Sequence, residues 1–118
     1  MTAFFITNPP ALKPQSTVEE LKTRLDWGEP ALTIIDVRDR SVFNQERIQG
    51  AISMPLATLV DAAKLTLEQD RDIYIYGDSN EMTAEAANQL RAAGYQQVAE
   101  LTGGSIAWKS AKFPIEAI

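Results

Sequence analysis

The sequence predicts a three-layer α/β domain built around a mostly parallel sheet. Two runs carry that expectation: Leu32-Thr33-Ile34-Ile35-Asp36-Val37 and Asp72-Ile73-Tyr74-Ile75-Tyr76. Both are short, rich in β-branched or aromatic residues and apolar at consecutive positions, the pattern of strands covered on both faces. Stretches with apolar residues at helical spacing alternate with them, and alternation of strand and helix implies parallel strands joined by right-handed crossovers. The length, 118 residues, suits one compact domain and is too short for two of ordinary size.

Taken in order, residues 1 to 14 read as an extended N-terminal segment, because Asn8-Pro9-Pro10 and Pro14 remove backbone donors and disfavour helix. The domain proper is expected over 15–118. Ser16 or Thr17 can cap a first helix, with Glu19 or Glu20 closing a capping box and Val18, Leu21 and Leu25 forming the apolar stripe. Gly28-Glu29-Pro30 ends it, and the Leu32 to Val37 strand follows. A short helix is expected around Val42-Phe43, then a turn at Gly50 and an apolar piece, Ala51-Ile52-Ser53-Met54, closed by Pro55. A brief helix over Leu59 to Leu65 leads to the Asp72 to Tyr76 strand. The polar stretch Gly77-Asp78-Ser79-Asn80-Glu81-Met82-Thr83 reads as a loop entering the clearest helix, in which Met82, Ala86 and Leu90 recur every four residues and Gly94 supplies a left-handed cap. Gln97 to Leu101 reads as the last strand, Gly103-Gly104 as a turn, and Ile106 to Lys109 as a terminal helical turn.

Composition removes several functions. The chain has no Cys and no His, so it holds no disulfide, no thiolate nucleophile, no Ser-His-Asp relay and none of the usual transition-metal ligands. Sixteen acidic against eleven basic residues give a net charge of -5, a field that repels phosphate backbones, so nucleic acid is not an expected partner. No apolar stretch approaches the roughly 20 residues of a membrane-spanning helix, and residues 1 to 10 lack the basic start of a targeting signal. A cytoplasmic location without membrane insertion is expected.

In open parallel sheets, ligands sit in the loops beyond the carboxyl ends of the strands. Two segments qualify. One follows Tyr76 and ends at a helix N-terminus, where backbone N–H groups favour an anion; the other is Thr102-Gly103-Gly104-Ser105, small enough for close approach.

The order of Ile35-Asp36-Val37-Arg38, Ile48-Gln49-Gly50-Ala51-Ile52, Ile73-Tyr74-Ile75-Tyr76 and its loop, Leu90 to Tyr95, and Leu101-Thr102-Gly103-Gly104 ending at Trp108 resembles the rhodanese domain, over roughly residues 15 to 116. The resemblance implies a rhodanese-like domain with a mostly parallel five-stranded sheet flanked by helices. It also implies a sulfur-accepting Cys directly after the Ile73 to Tyr76 strand, inside a loop whose N–H groups point at the sulfur. The matching position here is Gly77. Met82 stands where such loops often carry Arg, and Arg47 where the family often has His; Arg47 reads as an exposed charge. Between Glu68 and Glu85 there are six acids and one base, a field that repels an anionic sulfur donor such as thiosulfate.

A glycine cannot attack sulfur, so the expected catalytic set is empty and the site is degenerate at Gly77. The binding-loop candidates are Gly77, Asp78, Ser79, Asn80, Glu81, Met82 and Thr83. Ser79 and Thr83 have no base to activate them and are expected to cap the next helix, a role open to Asp78 and Asn80 as well. Asp78 and Glu81 read as a solvated acidic face, so no metal site is expected, and no cofactor. Asp36, Arg38, Gly50, Gly103, Gly104 and Trp108 are expected to be structural. Residues 1 to 60 carry seven acids and six bases, residues 61 to 118 nine and five. The charge is thus concentrated around the loop. The expected function is a catalytically inactive, protein-binding or regulatory module whose partner presents a basic surface. The alternatives are a small-anion or sulfur-compound sensor and a sulfurtransferase that borrows a Cys from a partner.

Overall fold

The structure is a computed structural model that describes residues 12–28 and 31–117; the expected extended segment over residues 1 to 14 lies mostly outside them. The elements are β1 (Gln15–Ser16), α1 (Val18–Asp26), β2 (Leu32–Asp36), α2 (Arg40–Gln45), β3 (Arg47–Ile48), β4 (Ile52–Ser53), a 3-10 turn (Leu56–Thr58) running into α3 (Leu59–Thr66), β5 (Asp72–Tyr76), α4 (Asn80–Ala92), β6 (Val98–Leu101), α5 (Gly104–Ser110) and β7 (Ile115–Glu116). The main sheet has five strands in the order β1-β6-β5-β2-β4, every pair parallel. A separate two-stranded ribbon pairs β3 with β7 antiparallel.

The apolar runs become central strands because both sheet faces are covered. Side chains alternate along a strand, and in β5 this sends Ile73 and Ile75 to one side and Tyr74 and Tyr76 to the other. The first pair joins Ile35, Val37, Leu59, Ala86, Ala87 and Leu90 in a core against α3 and α4. The second joins Val18, Leu21, Ile34, Leu101 and Trp108 in a core against α1 and α5. Each fully buried aliphatic side chain contributes about 1.5–3 kcal/mol relative to exposure, which is why the two layers of helix hold to one sheet.

The start of α1 follows its capping chemistry. Thr17 is the N-cap: its side chain accepts the Glu20 N–H at 3.1 Å, and Glu20 accepts the Thr17 N–H at 2.9 Å. Val18 and Leu21 are buried, whereas Leu25, expected on the same stripe, is 36% exposed near the end of the helix. Gly94 takes φ +101 after α4.

Besides adding the two-residue strands β1 and β3, the structure differs from the sequence reading in four places. The helix after Tyr76 begins at Asn80, so Asn80 to Thr83 form its first turn and only Gly77 to Ser79 remain a loop. Val98–Leu101 is not the last strand, because β7 follows it in the ribbon. The terminal helix extends to seven residues, Gly104–Ser110. Arg47 is not an exposed charge: its guanidinium lies 4.5 Å from the centre of the Phe43 ring and its Nε is 3.4 Å from Glu116 Oε1, an ion pair that only the β3–β7 pairing creates.

Candidate functional site

A cleft of about 330 Å³ lies where three central strands end. It is lined by Arg38 after β2, by Gly77, Asp78, Ser79, Asn80 and Thr83 after β5, and by Gly103, Gly104, Ser105 and Ile106 after β6. The two loop segments singled out from the sequence therefore form one site. Asn80 ties them together, its Oδ1 accepting the Gly103 N–H at 3.1 Å. Gly103 turns the chain at φ +80, with no room for a side chain: a Cβ there would lie 2.6 Å from Ala107 Cβ.

Four of the backbone donors between Gly77 and Thr83 are engaged within the protein. Thr83, buried, is the hub: its hydroxyl accepts the Gly77 N–H at 2.8 Å and donates to the Ser79 carbonyl at 2.9 Å. Ser79 is the N-cap of α4, its Oγ accepting the Met82 N–H at 3.1 Å and its carbonyl the Thr83 N–H at 3.0 Å. The Asp78 N–H points to the Met82 thioether, with a nitrogen-to-sulfur distance of 3.4 Å.

Met82 does not line the cleft. It folds back against the apolar core and fills the space beside Gly77. A Cβ on Gly77 would lie 2.7 Å from Met82 Sδ, 2.8 Å from its Cγ and 3.1 Å from Val37 Cγ2. The constraint at Gly77 is one of space rather than of backbone angle, and it falls mainly on the Met82 side chain, which must shift to admit a Cβ. A side chain at this position and the Met82 side chain, as placed, exclude each other. Glu81 faces a neighbouring depression with Gln15, Ala84 and Thr102.

Beneath the cleft, Asp36 and Arg38 form a buried pair. Asp36 is 0% and Arg38 7% exposed. The guanidinium meets the carboxylate through Nε at 3.0 and 3.1 Å and through Nη2 at 2.6 Å, and Nη2 also donates to the Glu46 carbonyl at 2.7 Å. Asp36 Oδ1 further accepts the Arg38 N–H at 2.9 Å. Burial works against the guanidinium charge, yet Asp36, Tyr76 and Asp78 hold the Arg38 pKa above its ordinary value. The Tyr76 hydroxyl, which accepts the Ile48 N–H at 3.2 Å, is pushed well above the usual tyrosine pKa by burial first and by Asp36 second. It is a neutral structural hydroxyl rather than an acid for catalysis.

Of the remaining sequence candidates, Gly50 sits in a turn at φ +87, Gly104 closes against the Gly77 carbonyl, and Trp108 is buried under α5 with its Nε1–H donating to the Pro114 carbonyl at 2.7 Å. Ser105, at the end of the second segment singled out from the sequence, lines the cleft, whereas sequence reading missed Ile106. The signal for Ile106 was its two-residue offset from Trp108: on a helix the two cannot face the same way.

The fold and the cleft define an α/β domain with a parallel sheet and a strand-end loop that opens on Gly77, a residue with no side chain. The chain belongs to the rhodanese-like domain family, whose profile matches residues 17–111, and it carries no cysteine. It is similar to the Alr3790 protein of Anabaena sp., known from a crystal structure, at 53% identity over 87% of this chain and 92% of that one, with a TM-score of 0.86. It is 33% identical to a sulfurtransferase of Allochromatium vinosum over 84% of this chain and 91% of that protein. It is 35% identical to an HTH-type transcriptional regulator of Mycobacterium tuberculosis over 85% of this chain and 43% of that protein. The chain spans less than half the length of some of the curated relatives it matches. Among the described residues, no helix is long and apolar enough to cross a membrane.

Proposed function

We propose that this is a catalytically inactive rhodanese-like domain, comprising residues 15–118, that works in the cytoplasm as a protein-binding or regulatory module. The observation that carries the proposal is the Met82 thioether in the space that a side chain at Gly77 would need. Sulfur transfer requires a thiolate at that point with loop N–H groups turned toward it. Here the point is filled, and the Gly77, Asp78, Met82 and Thr83 N–H groups already have partners inside the protein.

The same features weigh against the alternatives. A small-anion sensor needs those donors free, and a thiol lent by a partner would have to displace Met82. One relative is named a sulfurtransferase and another a transcriptional regulator, so the family resemblance alone does not decide between chemistry and regulation. The purified protein is expected to show no thiosulfate-to-cyanide sulfur transfer above a no-protein blank, and Gly77→Cys to stay at the same level. Turnover by the wild-type chain would overturn the proposal.

A further inference from the structure

We infer that Met82 is an oxidation site, and that its conversion to the sulfoxide by hydrogen peroxide drives the side chain from its place beside Gly77 and reshapes the cleft. The inference rests on where the thioether lies and holds whether or not the cleft catalyses sulfur transfer.

The chain has no Cys, so its sulfur chemistry is confined to thioethers. Among the described residues these are Met54 and Met82. Met54 is 5% exposed, inside the core against α3 and α4. Met82 is only partly buried. It leans on the same core from the first turn of α4, and the four residues before it, Asp78 to Glu81, are all exposed. An oxidant arriving from solvent therefore meets Met82 before Met54. A sulfur lone pair attacks one peroxide oxygen, and the S–O bond forms as the O–O bond breaks. The leaving hydroxide takes the proton of the transferred oxygen to become water, so the thioether is oxidised and the peroxide reduced by two electrons.

The geometry around Sδ gives the new oxygen no place. The Asp78 nitrogen lies 3.4 Å from Sδ. An oxygen acceptor by itself stands about 2.7–3.2 Å from a donor nitrogen, which leaves no length for an S–O bond between the two. On another side the sulfur packs on Gly77, where a Cβ would be only 2.7 Å away. Toward the core it faces an aliphatic cluster that includes Val37, and a sulfoxide dipole pressed against aliphatic side chains is costly. An oxygen directed at the loop pushes the loop and the side chain apart; one directed at the core favours the side chain's departure to water.

Both routes change the cleft wall. The Asp78 N–H loses the thioether as its partner, and the space beside Gly77 opens. Gly77 and Asp78 both line the cleft, so a modification behind the loop alters the surface that a ligand or partner meets.

Brief treatment of the purified chain with dilute hydrogen peroxide, followed by proteolysis and mass spectrometry, tests the accessibility half. The peptide holding Met82 should be oxidised at least about fivefold faster than the one holding Met54. At a dose that leaves Met54 intact, the amide resonances of Asp78 and Ser79 should shift and the melting temperature should fall by about 4 °C. Met82→Leu, which keeps the side-chain volume, should show neither change under the same dose. Oxidation of Met82 no faster than that of Met54 would overturn the inference. So would a Met82 sulfoxide that leaves the Asp78 and Ser79 amides unmoved, or the same peroxide response in Met82→Leu.

Discussion

Replacing Arg38 with Met should lower the unfolding free energy by about 3–5 kcal/mol, the range for removing one member of a buried ion pair. The cause is what remains behind. Asp36, with no exposed surface, loses both guanidinium contacts and keeps only the Arg38 backbone N–H and its position near the Tyr76 hydroxyl. A carboxylate in that setting is an uncompensated buried charge, whereas two apolar side chains of similar shape are not. The double substitution Asp36→Asn with Arg38→Met should therefore recover part of the loss. Urea titration of the two variants and the wild-type chain at neutral pH checks this. A loss under about 1 kcal/mol for the single variant would show that the pair is solvated and does not hold the floor of the cleft.

Trp108→Ala should cost a similar amount, about 3–5 kcal/mol. The indole is 1% exposed and packs edge-on to Phe113, with ring centres 5.0 Å apart and planes at 73°. Its Nε1–H shares the Pro114 carbonyl with the Gln49 N–H. One residue thus fastens α5, which carries the Gly104 to Ile106 rim, to the chain leading into β7. Trp108→Phe keeps much of the buried surface and loses the hydrogen bond, so its cost should be nearer 1–3 kcal/mol. Chemical denaturation of both variants gives the comparison, and equal losses would show that the buried ring area, which Phe largely keeps, contributes nothing.

The central strands and long helices were legible in the sequence because their signals are local. Asp72 to Tyr76 matched residue for residue, since a doubly covered strand leaves a continuous apolar run. Thr17 and Glu20 announced α1 through side-chain-to-backbone bonds within one turn. The two-residue strands β1, β3 and β7 were not legible: they carry no periodicity, and each exists only because a distant segment supplies its partner. That Gly77 stands where the family resemblance implies a Cys was legible once the family pattern was set beside the sequence. That Met82 fills the vacated space was not. Spacing alone placed Met82 on the apolar stripe of α4 and in the loop at once, and only the backbone path decides which way its side chain turns. Likewise, the merging of the Gly77 and Gly103 segments into one cleft depends on the adjacency of β5 and β6, which no local pattern encodes.

A double-mutant cycle between positions 77 and 82 tests the central claim, that the Met82 side chain occupies the place of the missing nucleophile. Gly77→Cys alone should destabilise by about 1–3 kcal/mol, the range for overpacking. Met82→Ala alone should cost about 1–3 kcal/mol through the void it leaves. The double variant should lose less than the sum by about 1 kcal/mol or more, because the new thiol then enters the space the thioether has left. Additivity within about 0.5 kcal/mol would contradict the account, since independent sites add in that way.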